Sequence, residues 1–109
     1  MLFKHIIGKE KVSHSLEETI NRIDRLKLDG KTIVFTNGCF DLLHLGHIEY
    51  LLTASLMGDI LVVGVNSDSS IQKLKGTDRP IIDEVQRYHI MASLYFVDIV
   101  VPFSSETPY

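Results

Sequence analysis

Two runs in this chain are apolar at consecutive positions rather than alternate ones: Thr32-Ile33-Val34-Phe35-Thr36 and Ile60-Leu61-Val62-Val63-Gly64-Val65. A strand with one wet face alternates apolar and polar residues. A run without that alternation belongs to a strand covered on both faces, the situation of parallel sheets with helices above and below. Parallel neighbours need a crossover connection, and the intervening residues supply one. A helix beginning near His44 places Ile48, Leu51, Leu52 and Leu56 on one face and stops at Gly58. Residues 32 to 65 therefore read as a β-α-β unit, of the right-handed kind that chirality favours, with Thr32–Thr36 as a central strand.

The rest of the chain extends the alternation. Ser15-Leu16-Glu17-Glu18 is a capping box, and Leu16, Ile20, Ile23 and Lys27 follow at helical spacing up to Leu28, where Asp29-Gly30 stops the helix. Residues 1–14 read as an N-terminal arm, loose before Ser13. A short helix through Ile71 and Leu74 ends at Gly76, and Gly76-Thr77-Asp78-Arg79-Pro80 forms a loop. Asp83 with Gln86 opens a long helix that carries Val85, Tyr88, Ala92 and Tyr95 on one face, and the two tyrosines read as core or interface. Val97 to Phe103 is a third strand, with Pro102 near its end where a missing N–H is tolerated. The result is one α/β domain over residues 1–109, its core spanning 15–109, built as a parallel sheet with helices on both faces.

Composition narrows the function classes. A formal charge of −3 and a pI near 5.9 give no basic field of the kind that holds polynucleotides, so no nucleic-acid partner is expected. No apolar run approaches the ~18 residues of a membrane span, so no membrane partner is expected either. The first residues lack the apolar core of a secretion signal, which leaves the cytoplasm as the default. Cys39, the single cysteine, forms no internal disulfide, in agreement with a reducing compartment.

Ligands of open parallel sheets bind outside the carboxyl ends of the strands. Asn37-Gly38 and Asn66-Ser67-Asp68 both lie at such ends, so two polar turns are expected to converge on one crevice. The first continues as Gly38-Cys39-Phe40-Asp41-Leu42-Leu43-His44-Leu45-Gly46-His47. The first N–H groups of a helix lack intrahelical partners and sit at its positive end, so this junction attracts anions. His44 and His47, three apart, share a face and can both reach one anionic group, which suits a triphosphate. Gly46 leaves room for a base or ribose near the backbone, although it weakens a helix by about 1 kcal/mol relative to alanine. A zinc site built from Cys39 and the two histidines has irregular spacing and no fourth ligand, and Cys39 reads as structural rather than as a nucleophile.

These ten residues resemble the signature of the cytidylyltransferase-like nucleotidyltransferases, in which His44-Leu45-Gly46-His47 is the HxGH element. Phe35-Thr36-Asn37-Gly38-Cys39-Phe40-Asp41, Val65-Asn66-Ser67-Asp68, Leu74-Lys75-Gly76 and Arg79-Pro80-Ile81 closely resemble the adenylyltransferase domain of bacterial ADP-heptose synthesis. The resemblance implies a Rossmann-like nucleotidyltransferase fold of the HUP, or adenine nucleotide alpha hydrolase-like, type. It implies transfer of AMP from ATP to a sugar 1-phosphate, D-glycero-β-D-manno-heptose 1-phosphate, by direct in-line attack with release of pyrophosphate.

By the same resemblance, His44, His47, Lys75 and Arg87 are catalytic. Asn37, Gly38, Cys39, Phe40, Asp41, Gly46 and Lys73 bind the nucleotide, and Arg79 binds the sugar phosphate. Asp68, at the end of its strand, reads equally as a sugar-phosphate residue and as an Asx turn or helix cap. Asp41 reads as orienting the turn or a histidine rather than as a base, because the attacking phosphate is already anionic. Mg²⁺ is implied as the companion of ATP, although no carboxylate cluster marks a protein cage for it. A homodimer is implied as well. Family members continue past the third strand with further βα elements and a serine/threonine-containing segment that nothing here matches, so the core is expected to be truncated at its C-terminus. Two other readings remain open: a cytidylyltransferase acting on glycerol 3-phosphate or a similar alcohol phosphate, and a nucleotide-binding or assembly module without turnover.

Overall fold

The computed structural model describes residues 9–103, so the start of the expected arm and the segment from Ser104 onward lie outside the described residues. Local signals set the first helix. The Ser15 hydroxyl accepts the N–H of Glu18 at 3.0 Å and opens α1 (Leu16–Leu28), whose first turn is acidic and whose last turn is basic, matching the helix dipole at both ends. The elements that follow are β1 (Ile33–Gly38), α2 (Leu45–Ser55), β2 (Ile60–Asn66), α3 (Asp68–Lys75), α4 (Glu84–Ala92) and β3 (Ile99–Phe103). Asp83 caps α4 by accepting the N–H of Gln86 at 3.0 Å, as the sequence predicts.

Among the described residues the strands make one parallel sheet in the order β1-β2-β3, with Ile33 opposite Ile60 and Val62 opposite Ile99. Strand alternation divides the core between its two faces. Leu61, Val63, Val65 and Val100 meet Leu51 and Ala54 of α2 and Tyr88, Met91 and Ala92 of α4. Val62, Ile99 and Val101 meet Ile23 and Leu26 of α1. This is the expected Rossmann-like α/β arrangement, with helices on both faces.

Four expectations need correction. Among the described residues the central strand is β2, buried from Leu61 to Asn66, whereas β1 lies at the edge of the sheet they form, with Phe35 48% exposed. An apolar run records burial, not sheet order, and so cannot assign the middle position. Leu56 is 80% exposed because α2 ends at Ser55, before the helical period can carry Leu56 onto the sheet. Tyr95 is exposed for the same reason, three residues past the end of α4, and Val85 turns outward, so only Tyr88 and Ala92 of that predicted face are buried. Finally, the residues before Ser13 are not all loose. Lys9–Lys11 form a 3-10 turn, Val12 bridges Val100 in parallel, and the Ser13 N–H donates to the Val100 carbonyl at 2.8 Å, so this segment lies along the outer edge of β3.

These packing differences are measurable. Leu51→Ala removes a fully buried side chain and is expected to cost about 2–5 kcal/mol in denaturant unfolding, while Leu56→Ala changes stability by less than about 0.5 kcal/mol. Equal losses at the two positions would mean that α2 is longer and differently rotated.

Candidate active site

The turn leaving β1 is held in an uncommon conformation. Phe40 has φ 49°, in the left-handed region that non-glycine residues rarely occupy, and its ring is buried in the core against α2 and α4. That ring lies over Gly38, where a Cβ would come within 2.9 Å of it, so glycine is required for the turn to close. Backbone strain of this kind persists only where the surroundings impose it, and it recurs at functional sites.

Past the turn, the HxGH element builds the start of α2. His44 is its N-cap, and the His44 Nδ1 accepts the N–H of Gly46 at 3.0 Å. Reciprocally, the His44 N–H donates to Nδ1 of His47 at 3.2 Å. This is a capping box made by two imidazoles in place of the usual hydroxyl and carboxylate. The rings stack with centroids 3.9 Å apart, and Phe40 meets His47 edge-on at 5.5 Å. A Cβ on Gly46 would fall 2.8 Å from Cε1 of His44, so the first neighbour served by this missing side chain is the capping ring itself. Burial, then the nearby His44 and Lys75, hold the His47 imidazole's pKa below its ordinary value, which favours the neutral ring.

Asp41 anchors the loop that faces this helix. Its buried carboxylate accepts the N–H of Ile81 at 2.9 Å, the N–H of Ile82 at 2.9 Å and Nη1 of Arg79 at 3.2 Å, around a cis Arg79-Pro80 peptide. Burial alone would raise its pKa, but the two backbone N–H donors and the Arg79 guanidinium together outweigh it and hold the carboxyl below its ordinary value. Its charge is thereby matched inside the protein.

Arg87 ties the two strand-end turns together from beneath. Its side chain has no solvent exposure, and it donates to four groups: the Cys39 carbonyl at 2.8 Å, the Asn66 carbonyl at 2.6 Å, the Ile82 carbonyl at 2.8 Å and the Asp68 carboxylate at 2.8 Å. The expected convergence of the turns after β1 and β2 is therefore mediated by one guanidinium from α4.

A crevice of about 350 Å³ opens at the carboxyl end of β1, lined by Asn37, Gly38, Cys39, Phe40, Asp41, His47, Lys75 and Arg79, together with Leu42 and Tyr50. These include eight of the residues singled out in the sequence. His44 joins them through its stacking on His47. The other candidates lie elsewhere. Gly46 borders a second depression, with Glu49, Thr53 and Met57, that shares Tyr50 with the crevice, and Lys73 is an exposed residue of α3 outside the crevice. Asp68 is neither the helix cap, which is Ser67, nor a crevice residue, since its carboxylate is turned to Arg87. Sequence reasoning missed Tyr50, which bonds to Thr36 and walls the crevice. Its spacing of three from His47 on α2 was the available signal.

The described residues contain no group of three or more His, Cys, Asp or Glu side chains placed to hold a metal ion. The one carboxylate lining the crevice, Asp41, already has its oxygens taken by Arg79, Ile81 and Ile82. No helix among them is long and apolar enough to cross a membrane.

The family model described as Cytidylyltransferase-like matches residues 35–109, and so takes in the end of β1, the strained turn and the HxGH helix together. The chain belongs to the cytidylyltransferase-like family. Among curated members, the bifunctional protein HldE of Geobacter metallireducens is 50% identical over 108 residues, covering 99% of this chain and 22% of its own. HldE of Nitratiruptor sp. is 60% identical over 80 residues, 73% of this chain and 17% of its own. The chain thus spans about a fifth of the length of these relatives. A crystal structure of the lipopolysaccharide core biosynthesis protein from Thermoplasma volcanium superposes with a TM-score of 0.67 at 38% identity, over 72% of this chain and 63% of that one.

The Asp41 clamp gives this family member a specific acid response. Asp41→Asn leaves a buried amide among N–H donors and is expected to cost about 1–3 kcal/mol at pH 7. A lowered native pKa contributes stability above the unfolded value and loses it as pH falls, so the gap between the two proteins narrows below about pH 4. Urea unfolding from pH 7 to pH 3 measures it, and a gap that stays constant over that range would contradict the clamp.

Proposed function

We propose that this chain is a nucleotidyl-transfer domain that moves AMP from ATP to a sugar 1-phosphate, D-glycero-β-D-manno-heptose 1-phosphate, with release of pyrophosphate. The observation that carries the reading is the pair of stacked HxGH imidazoles set beside a crevice that also presents Lys75 and Arg79. Ring N–H donors and cations gathered against a strand end suit a polyphosphate. The sequence resemblance to heptose adenylyltransferases supports the choice of nucleotide and acceptor, and so does the neighbouring structure described as a lipopolysaccharide core biosynthesis protein.

In the proposed step a phosphate oxygen of the acceptor attacks the α-phosphorus in line, forming one P–O bond as the bond to the pyrophosphate oxygen breaks. The attacking group is already anionic and needs no base, so catalysis is positioning plus charge stabilisation. His44 and His47 donate to phosphate oxygens, and Lys75 adds positive charge to the leaving pyrophosphate. Arg79, bonded to Asp41 yet partly open to the crevice, takes the acceptor's phosphate. Mg²⁺ would arrive on the triphosphate, because the crevice offers no uncommitted carboxylate. Arg87, which has no solvent exposure, shapes the site from within rather than touching substrate, and Asp68 is one of its partners.

A screen for pyrophosphate release, with ATP and CTP each paired with sugar and alcohol phosphates, tests the reading. Turnover is expected with ATP and heptose 1-phosphate. His47→Ala is expected to lower kcat by about 10²–10³-fold while KM changes little, as for loss of a donor used mainly in the transition state. Preference for CTP with an alcohol phosphate, or near-normal turnover in the variant, would overturn it.

A further inference from the structure

Both imidazoles of the HxGH element spend the same nitrogen on the backbone. Nδ1 of His44 faces the N–H of Gly46, and Nδ1 of His47 faces the N–H of His44. A backbone N–H can only donate, so each Nδ1 must act as acceptor and carry no proton. A neutral imidazole has one N–H, which then falls on Nε2. We propose that the helix cap locks His44 and His47 as a pair of Nε2–H tautomers. Each ring then presents one fixed donor and no acceptor, which makes the pair phosphate binders and prevents either from serving as a general base.

Three further features hold the lock in place. Ring stacking at 3.9 Å and the Phe40 edge oppose rotation of His47. The absent side chain at Gly46 leaves the space into which the His44 ring folds, since any Cβ there would press on its Cε1 and Nδ1. Charge acts in the same direction: the groups set against His47 are His44 and Lys75, and both disfavour a second proton on its ring. Gly46 therefore serves the tautomer, which explains a glycine in the first turn of a helix despite its low propensity there.

The inference deepens the proposed transfer reaction and rests on it for the meaning of the donors, but its test does not require turnover. Two-bond nitrogen–proton correlation spectra of the ¹⁵N-labelled chain near neutral pH distinguish Nε2–H from Nδ1–H rings, and the signals of His44 and His47 are assigned from the two Asn variants. Both rings are expected in the Nε2–H form; a proton on Nδ1 of either, or the averaged pattern of a free imidazole, would overturn the lock. Substitutions give an independent readout. Asparagine places its carbonyl oxygen near the position of Nδ1, so His44→Asn is expected to keep the thermal midpoint close to that of the parent. His44→Ala loses the cap and is expected to melt about 4–8 °C lower. Equal melting of the two variants would contradict the cap. Locked tautomers in a protein that turns over no nucleotide would sink the proposed reaction and leave the lock standing.

Discussion

A cation with no exposure to water holds the crevice in shape. The Arg87 guanidinium bonds to carbonyls at residues 39, 66 and 82 and to the Asp68 carboxylate, groups that come from the turn after β1, the end of β2, the loop before α4 and the start of α3. An unpaired charge buried this deeply would be costly by several kcal/mol, so the arginine is tolerable only with all of these partners in place. The dependence runs both ways. The turns need the arginine to stay together, and the arginine needs the turns to compensate its charge.

The same reciprocity recurs nearer the surface. Asp41 is buried with its charge matched by Arg79 and by N–H groups of the 81–82 loop, and the imidazoles are matched by the helix start they cap. The one carboxylate lining the crevice is thus paired inside the protein, while Lys75 and His47 line the crevice beside it. A chain with net charge −3 can gather cationic and imidazole side chains at one crevice because such a cluster depends on local placement rather than on overall charge.

Much of this was legible from residues alone where the signal is local. Ser15 and Asp83 act as caps because a hydroxyl or carboxylate before a helix has one favourable use, and the apolar runs became parallel strands because nothing polar interrupts them. What escaped was set by termini and by backbone. Leu56 and Tyr95 fit the helical period but lie past the ends of α2 and α4, so continuing the period placed them wrongly. The partners of Arg87 were not legible either: three of the four are main-chain carbonyls, which carry no sequence signature. At Gly46 the sequence did not show that the His44 ring is the first neighbour of the space left by the missing side chain, because that contact depends on how the ring folds back onto the helix start.

The most direct test is a crystal structure of the chain with an ATP analogue whose α,β bridge cannot be cleaved. The triphosphate is expected over the Gly38–Asp41 turn, within hydrogen-bond distance of His44, His47 and Lys75, with Arg87 still donating to the carbonyls of Cys39, Asn66 and Ile82. An Arg87 side chain swung out onto the phosphates, or a nucleotide seated outside the crevice, would contradict the division between the groups that bind and the group that holds the site together.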